Sequence, residues 1–302
     1  MSSSQIKVKC PACLSEKSAK VGDKNNYSIN QCADCQTLFA EVAFENEKTV
    51  NEVQELYDHY YDSAKFALHP AVELSLQKAV RSFEKFRQTG RLLDIGFGEG
   101  GLLTVAEKNA WECYGTELSP QSLKYGRERN WKVSKDALTD DRFPEEGFDV
   151  VTLVELIEHV PNPDDFLQTA YALLRPGGLL YLTTPNTQSI NRRWLGIDWS
   201  VISPPEHIII WSAAGMRKIL SRNGFAPKKI RTEGFNPGEI LAQLKAKKNT
   251  KVEINRNETA YALNEAFTSS SWRRMVKTSI NHGLSAVRLG DGIKVWAIKQ
   301  SI

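Results

Sequence analysis

One stretch constrains the fold more than any other: Arg91-Leu-Leu-Asp94-Ile-Gly96-Phe-Gly98-Glu-Gly100-Gly101. It reads as a buried strand, a glycine loop and a helix over Leu102–Asn109. Glycines at alternate positions let the backbone turn tightly and let a ligand approach it. The helix that follows aims its first amides at the same place. The stretch is therefore a nucleotide-type cradle, and Gly96, Gly98 and Gly101 also satisfy the dinucleotide pattern G-x-G-x-x-G. A second strand, Trp111–Thr116, ends at Glu117, where an acid can hold ribose hydroxyls under either nucleotide.

The chain downstream alternates strands and helices. Ser119-Pro120 reads as a cap with proline at the first helical position of a helix to about Arg129. Strands follow at Trp131–Val133 and over the apolar run Phe148–Val154, the kind buried in a parallel sheet. Asn162-Pro-Asp-Asp starts a helix that ends at Arg175-Pro-Gly-Gly. Leu179–Thr184 is a strand, Ser212 to Asn223-Gly224 a helix, and Ala226–Thr232 and Ile293–Lys299 are the last two strands. The expectation is an α/β, doubly wound, Rossmann-like sheet of seven strands.

Taken together, these segments resemble the class I S-adenosylmethionine-dependent methyltransferases. Asp94, Gly96, Gly98 and Gly100 match their D-x-G-x-G-x-G pattern, and LLDIGFGEG is followed in order by Glu117, Asp136, FDVVTLVELIEHVPNP and LLRPGGLLYLTTPN. The resemblance covers about residues 50–300 and implies S-adenosylmethionine as cofactor. By position, Asp94, Gly96, Gly98 and Gly100 would cradle its methionine part. Glu117 would take the ribose hydroxyls, with Leu118 on the adenine. Asp136 would bond the adenine amino group beside the Ala137 backbone, with a loop cap as the alternative use of Asp136.

The chemistry is expected just past the fourth strand. Glu155, Glu158 and His159 stand at i, i+3 and i+4, which would put them on one side of a helical turn, and Pro161 breaks that turn. Two carboxylates and an imidazole at a strand's end are poor core material. The E-x-x-E-H set, with Thr184-Pro-Asn and a later histidine, His207, resembles two metal-using groups: the O-methyltransferases of ubiquinone synthesis and the small-RNA 2′-O-methyltransferases. That resemblance implies Mg²⁺ held by Glu155, Glu158, His159 and His207, activating an acceptor hydroxyl. Two other readings stand beside it. In one, a histidine is a metal-free base. In the other, Glu155 touches cofactor, Glu158 is solvated and His159 caps the turn.

Ahead of the cradle, Cys10-Pro-Ala-Cys13 and Cys32-Ala-Asp-Cys35 form two C-x-x-C knuckles with 18 residues between them. Four thiolates from two tight turns satisfy tetrahedral zinc, and strands at Tyr27–Gln31 and Thr37–Ala40 make the segment a zinc ribbon. The fifth cysteine, Cys113, is a small buried side chain in the second strand. The expected division is a ribbon over 1–45, a linker with capping helices over 46–90, and a methyltransferase core over 91–302 carrying a helical insertion at 236–290. In the linker, Pro70–Gln88 is a helix. Tyr57, Tyr60 and Tyr61 are packing residues or a flap over the cofactor.

A net charge of +3 is too small to imply nucleic acid. No run of about 18 apolar residues predicts a membrane span, and the first residues lack a signal peptide's apolar core. The expectation is a soluble, cytoplasmic protein. Acceptor specificity is expected from the aromatic and basic loop holding Arg192, Arg193, Trp194 and Trp199, and from the basic insertion. The acceptor expected is a small molecule or a saccharide, methylated on a hydroxyl. An RNA methyltransferase, a sugar C-methyltransferase and a non-enzymatic ribbon adaptor are the alternatives.

Overall fold

The computed structural model describes residues 9–41, 68–135, 143–144, 146–245 and 271–300. Asp136, Ala137, the three linker tyrosines and residues 246–270 of the expected helical insertion lie outside them.

At the N-terminus β1 (Ser18–Lys24), β2 (Tyr27–Cys32) and β3 (Leu38–Ala40) form an antiparallel meander. Asn25 and Asn26 join β1 to β2 with φ of 51° and 66°. Two consecutive left-handed residues make the hairpin turn whose twist suits the strands, and asparagine tolerates that region. Then come α1 (Pro70–Phe83), β4 (Arg91–Ile95), α2 (Gly101–Lys108), β5 (Glu112–Thr116), α3 (Pro120–Glu128), β6 (Lys132–Ser134), β7 (Phe148–Val154), α4 (Pro163–Leu173), β8 (Leu174–Pro185), α5 (Ile190–Leu195), β9 (Ile209–Ile210), α6 (Ala213–Arg222), β10 (Phe225–Glu233), α7 (Gly238–Lys245), α8 (Ser271–Ala286) and β11 (Gly292–Lys299).

Seven strands form the main sheet in the order β10-β11-β8-β7-β4-β5-β6. The strands from β4 to β8 run parallel, and β11 is antiparallel to both of its neighbours. The chain leaves β4 outward in both directions. A switch point thus opens beyond the C-terminal ends of β4 and β7, the place where open α/β sheets bind ligands. The apolar run predicted as a central strand is β7, buried up to its last residue.

Side chains fix the frame. Ser119 and Ser212 cap α3 and α6 by accepting from the amides of Ser122 and Gly215. Asn162, expected to cap α4, instead donates to the Asp165 carboxylate, so that helix starts without a side-chain cap. Buried Asp149 of β7 accepts from the amides of Gln88 and Gly90 and from Arg175 Nε at 2.6 Å. It thereby pins the entry to β4.

The ribbon is not an appendage. Strand β3 pairs with β9, which lies between β8 and α6 in the sequence, giving a second sheet β1-β2-β3-β9. Cys10, Ala12, Cys32, Cys35 and Phe39 pack in the same apolar cluster as β7 and β8. Trp199 is fully buried against Ile29 and Leu38 of the ribbon, so it belongs to this join and does not line an acceptor loop as expected. Of that loop's aromatic residues Trp194 is the exposed one, at 68%. Among the described residues no helix is long and apolar enough to cross a membrane.

Candidate active site

The glycine loop leaves β4 with Gly96, Gly98 and Gly100 all at positive φ, 68°, 54° and 72°. L residues resist that region, so the alternate glycines are a backbone requirement. A Cβ on Gly96 would meet Leu156 at 2.9 Å. Gly100 differs from the other two: its open side faces Trp131 and Tyr125. It serves helix–strand packing, while Gly96, Gly98 and Gly101 line the cavity.

Two carboxylates flank the loop. Asp94, at the end of β4, is buried and accepts from Thr152 Oγ1 at 2.6 Å. Burial lifts its carboxyl to about 7, against the Thr152 bond and with help from the charge of Glu117. Glu117, just past β5, is aimed by three amides: Gly98 on one oxygen, Leu118 and Ser119 on the other. Leu118 is 57% exposed and faces the same cavity.

That cavity, about 1010 Å³, runs from the glycine loop to Glu158, His159 and His207, and α1 closes one side with Val72 and Leu76. It stands at the upper end of ordinary ligand pockets, which span ~300–1,000 Å³.

The stretch from Glu155 to Val160 is a bend and turn, not the helical turn expected. Glu155 itself sits at φ 49° as β7 ends. The turn separates the acids. Donor atoms of Glu158, His159 and His207 all lie within 4.8 Å of one another, and Glu155 is not part of that group. Glu158 is 1% exposed; it is not solvated. Its Oε2 accepts from Thr184 Oγ1 at 2.9 Å, and its Oε1 is buried with no hydrogen-bond partner. Burial, then the charges of Glu155 and Glu206, push its carboxyl well above the usual range.

The imidazoles come from separate elements and meet edge to face. His159 Nδ1 lies 2.9 Å from the Glu206 carbonyl, and His207 Nδ1 lies 2.6 Å from the Val201 carbonyl. A carbonyl only accepts, so both Nδ1 atoms carry protons, and each ring in its neutral form has its lone pair on Nε2. Histidines that ligate metals are oriented in this way. Burial, with His207 next to it, lowers His159 to about 4, so it is neutral at pH 7.

No signal in the sequence pointed to the carbonyls of Val201 and Glu206, nor to Tyr125 and Lys135 in the cavity wall. Thr152 carries a signal in the sequence: it is a polar residue in the interior of an apolar strand.

At the ribbon, Cys10 and Cys35 sulfurs are 3.6 Å apart and Cys13 and Cys32 sulfurs 3.5 Å. All five cysteines are free. Zinc–thiolate bonds of about 2.3 Å put tetrahedral sulfurs about 3.8 Å apart. The four donors, all within 4.8 Å of one another, therefore fit structural zinc.

A family model described as a methyltransferase domain matches residues 68–229, just over half of the chain. Ubiquinone biosynthesis O-methyltransferase of Idiomarina loihiensis is 33% identical over 135 residues, which is 41% of this chain and 52% of that protein. The protein of the same name from Caulobacter vibrioides is 33% identical over 158 residues, 50% of this chain and 59% of that one. The chain spans about half the length of the curated relatives it matches. The [4+2]-cyclase SpnF superposes with a TM-score of 0.50 at 18% identity, over 84% of this chain and 96% of its own. That likeness concerns the fold alone, and its name shows how widely the fold is used. The glycine loop with its two flanking acids, the β4/β7 switch point and the match over 68–229 place the chain in the methyltransferase domain family, on the Rossmann-like fold of S-adenosylmethionine-dependent enzymes.

Proposed function

We propose that the chain methylates a hydroxyl of a small molecule, with S-adenosylmethionine as donor and a divalent ion at Glu158, His159 and His207. The supporting observation is the buried Glu158 oxygen without a partner, beside two imidazoles whose Nδ1 atoms are already engaged. A buried carboxylate is costly unless a cation or donors offset it.

When bound, S-adenosylmethionine supplies an electrophilic methyl group. Gly96, Gly98, Asp94 and Glu117 would hold it, since an added Cβ would close the loop and Glu117 is fixed by amides at the cavity wall. Glu158, His159 and His207 would hold the ion, which would lower the pKa of an acceptor hydroxyl. The chain's own residues then orient that oxygen towards the methyl group, and its proton passes to bulk solvent. The donor set is one oxygen and two nitrogens. It suits Mn²⁺, Fe²⁺ or Zn²⁺ better than the Mg²⁺ expected from the sequence, because Mg²⁺ prefers an oxygen shell. His159 as a base without metal is the weaker reading, because a ring lowered to about 4 is a poor base at pH 7.

The relatives' names say O-methyltransferase of ubiquinone biosynthesis, and an ion that binds two neighbouring oxygens directs the acceptor screen to catechols and vicinal diols. The test is titration of Mn²⁺ and Mg²⁺ into zinc-loaded protein with adenosylhomocysteine present, for wild type and Glu158→Gln. Saturable Mn²⁺ binding that Glu158→Gln removes supports the reading. Methyl transfer to a catechol that persists undiminished in Glu158→Gln without added metal would sink it.

A further inference from the structure

We propose that the four-cysteine ribbon is a positioning device for His207, and not a separate recognition module; this rests on His207 being an active-site group. The residues from 197 to 212 carry His207 across the cavity wall, and the ribbon holds that segment on both sides of it. Before His207, Lys24 Nζ donates to the carbonyls of Ile197 and Trp199 at 2.9 and 2.8 Å. Asn25 Nδ2 donates to the Pro204 carbonyl at 2.9 Å. Both donors stand at the hairpin tip between β1 and β2. After His207, the Ala40 amide donates to the Ile208 carbonyl at 2.8 Å, and Leu38 and Phe39 pair with Ile210 and Ile209. Ser212 Oγ then donates to the carbonyl of Cys35, one of the four cysteines.

The same segment is tied to the other half of the site. The amides of Ile208 and Ile209 both donate to the Glu158 carbonyl, and Trp211 Nε1 donates to that of Ile157. The route from the metal knuckle to the chemistry is therefore short: Cys35, three residues to β3, across to β9, and back two residues to His207. The ribbon also grips the segment whose Val201 carbonyl sets the His207 tautomer. Zinc in the knuckles fixes the turn that starts β3, so the placement of the His207 ring depends on the ribbon keeping its metal. The cofactor loop, on β4 and β5 at the far side of β7, does not.

The test uses the full chain, zinc-loaded, in a Lys24→Met, Asn25→Gly double variant. All four cysteines remain, and glycine suits the left-handed φ of Asn25. Histidine ring signals are followed by NMR, with His207 assigned through His207→Gln, and adenosylhomocysteine affinity is measured by calorimetry. The expected result is a shifted or doubled His207 signal at unchanged zinc content and unchanged adenosylhomocysteine affinity. Removing zinc from the wild type by chelation should give the same signature, reversed on adding zinc back. A His207 signal that stays in place in both experiments overturns the proposal. If chelation unfolds the whole chain and adenosylhomocysteine binding is lost with it, the double variant alone decides. The assumed role of His207 is tested apart from this, by methyl transfer to 3,4-dihydroxybenzoate in His207→Gln. Unchanged transfer there would remove the catalytic role and leave the ring signals to report the bracing.

Discussion

His159 and His207 meet edge to face with ring centroids 4.6 Å apart, and the 47 residues between them put the two rings on different elements. With both Nδ1 atoms turned to carbonyls, the pair presents its remaining ring nitrogens beside Glu158, where we propose the ion binds.

Replacing either ring with alanine should therefore lower methyl transfer by about 10²–10⁴-fold, the range for losing a positioned proton-transfer or ligand group. Adenosylhomocysteine affinity should hold, because the glycine loop and Glu117 stand on other strands. Single-turnover rates and calorimetry on His159→Ala and His207→Ala check this. A loss of affinity as large as the loss of rate would mean that the rings hold the cofactor.

Gly96→Ala and Gly90→Ala form a matched pair. Both positions are left-handed, at φ 68° and 76°, but only Gly96 has side-chain atoms within 3 Å of a new Cβ; Gly90 has none within 4 Å. The conformation costs an L residue roughly 1–2 kcal/mol. Gly90→Ala should lose about that much stability in urea unfolding. Gly96→Ala should lose more, because Leu156 must move, and should also weaken adenosylhomocysteine binding.

Asp94 provides a pH signature. Its folded carboxyl titrates at about 7, where an ordinary aspartate titrates near 4. Across that window the folded chain holds the proton and the unfolded chain releases it. The contribution to stability is thus fully present below about pH 4 and is lost as pH rises through 7. An asparagine side chain at this position would keep the bond from Thr152 without a charge. In cofactor-free protein, the melting temperature of Asp94→Asn should gain on that of the wild type as pH goes from 4 to 8. A constant difference across that range would contradict the buried, raised carboxyl.

The sequence carried the main sheet well because its signals are local: an apolar run for β7, a glycine loop after β4, serine caps before α3 and α6. It carried the four cysteines for the same reason. What it missed is non-local. Strand β9 has two residues, and nothing in Ile209-Ile210 says that its partner is β3. The burial of Trp199 depends on that pairing, so the loop read as an acceptor surface is partly a core. The i, i+3, i+4 spacing suggested a helix after β7, but a left-handed Glu155 turns the chain instead. Glu158 and His159 were still legible, since charged groups at a strand's end need a use, and His207 came only through the family resemblance. Their grouping without Glu155 was not.

Asp149 and Arg175 test the frame beneath the site. Burial pushes the Asp149 carboxyl up, but Arg175 and the amides of Gln88 and Gly90 outweigh it and hold the group below the usual range. The aspartate is fully buried and the arginine nearly so. Arg175 also donates to the Phe86 carbonyl, so it ties the end of the α1 segment to β7. Arg175→Ala would leave a buried carboxylate without its cation, a loss of about 3–5 kcal/mol. At roughly 2–4 °C per kcal/mol, the melting temperature should fall by about 10 °C. Asp149→Asn, Arg175→Ala together should recover part of that loss, because the stranded charge is gone. Thermal unfolding of the two single variants and the double variant measures the coupling directly. Additive losses would show that the pair is a surface-like contact and that the entry to β4 is held by the two amides alone.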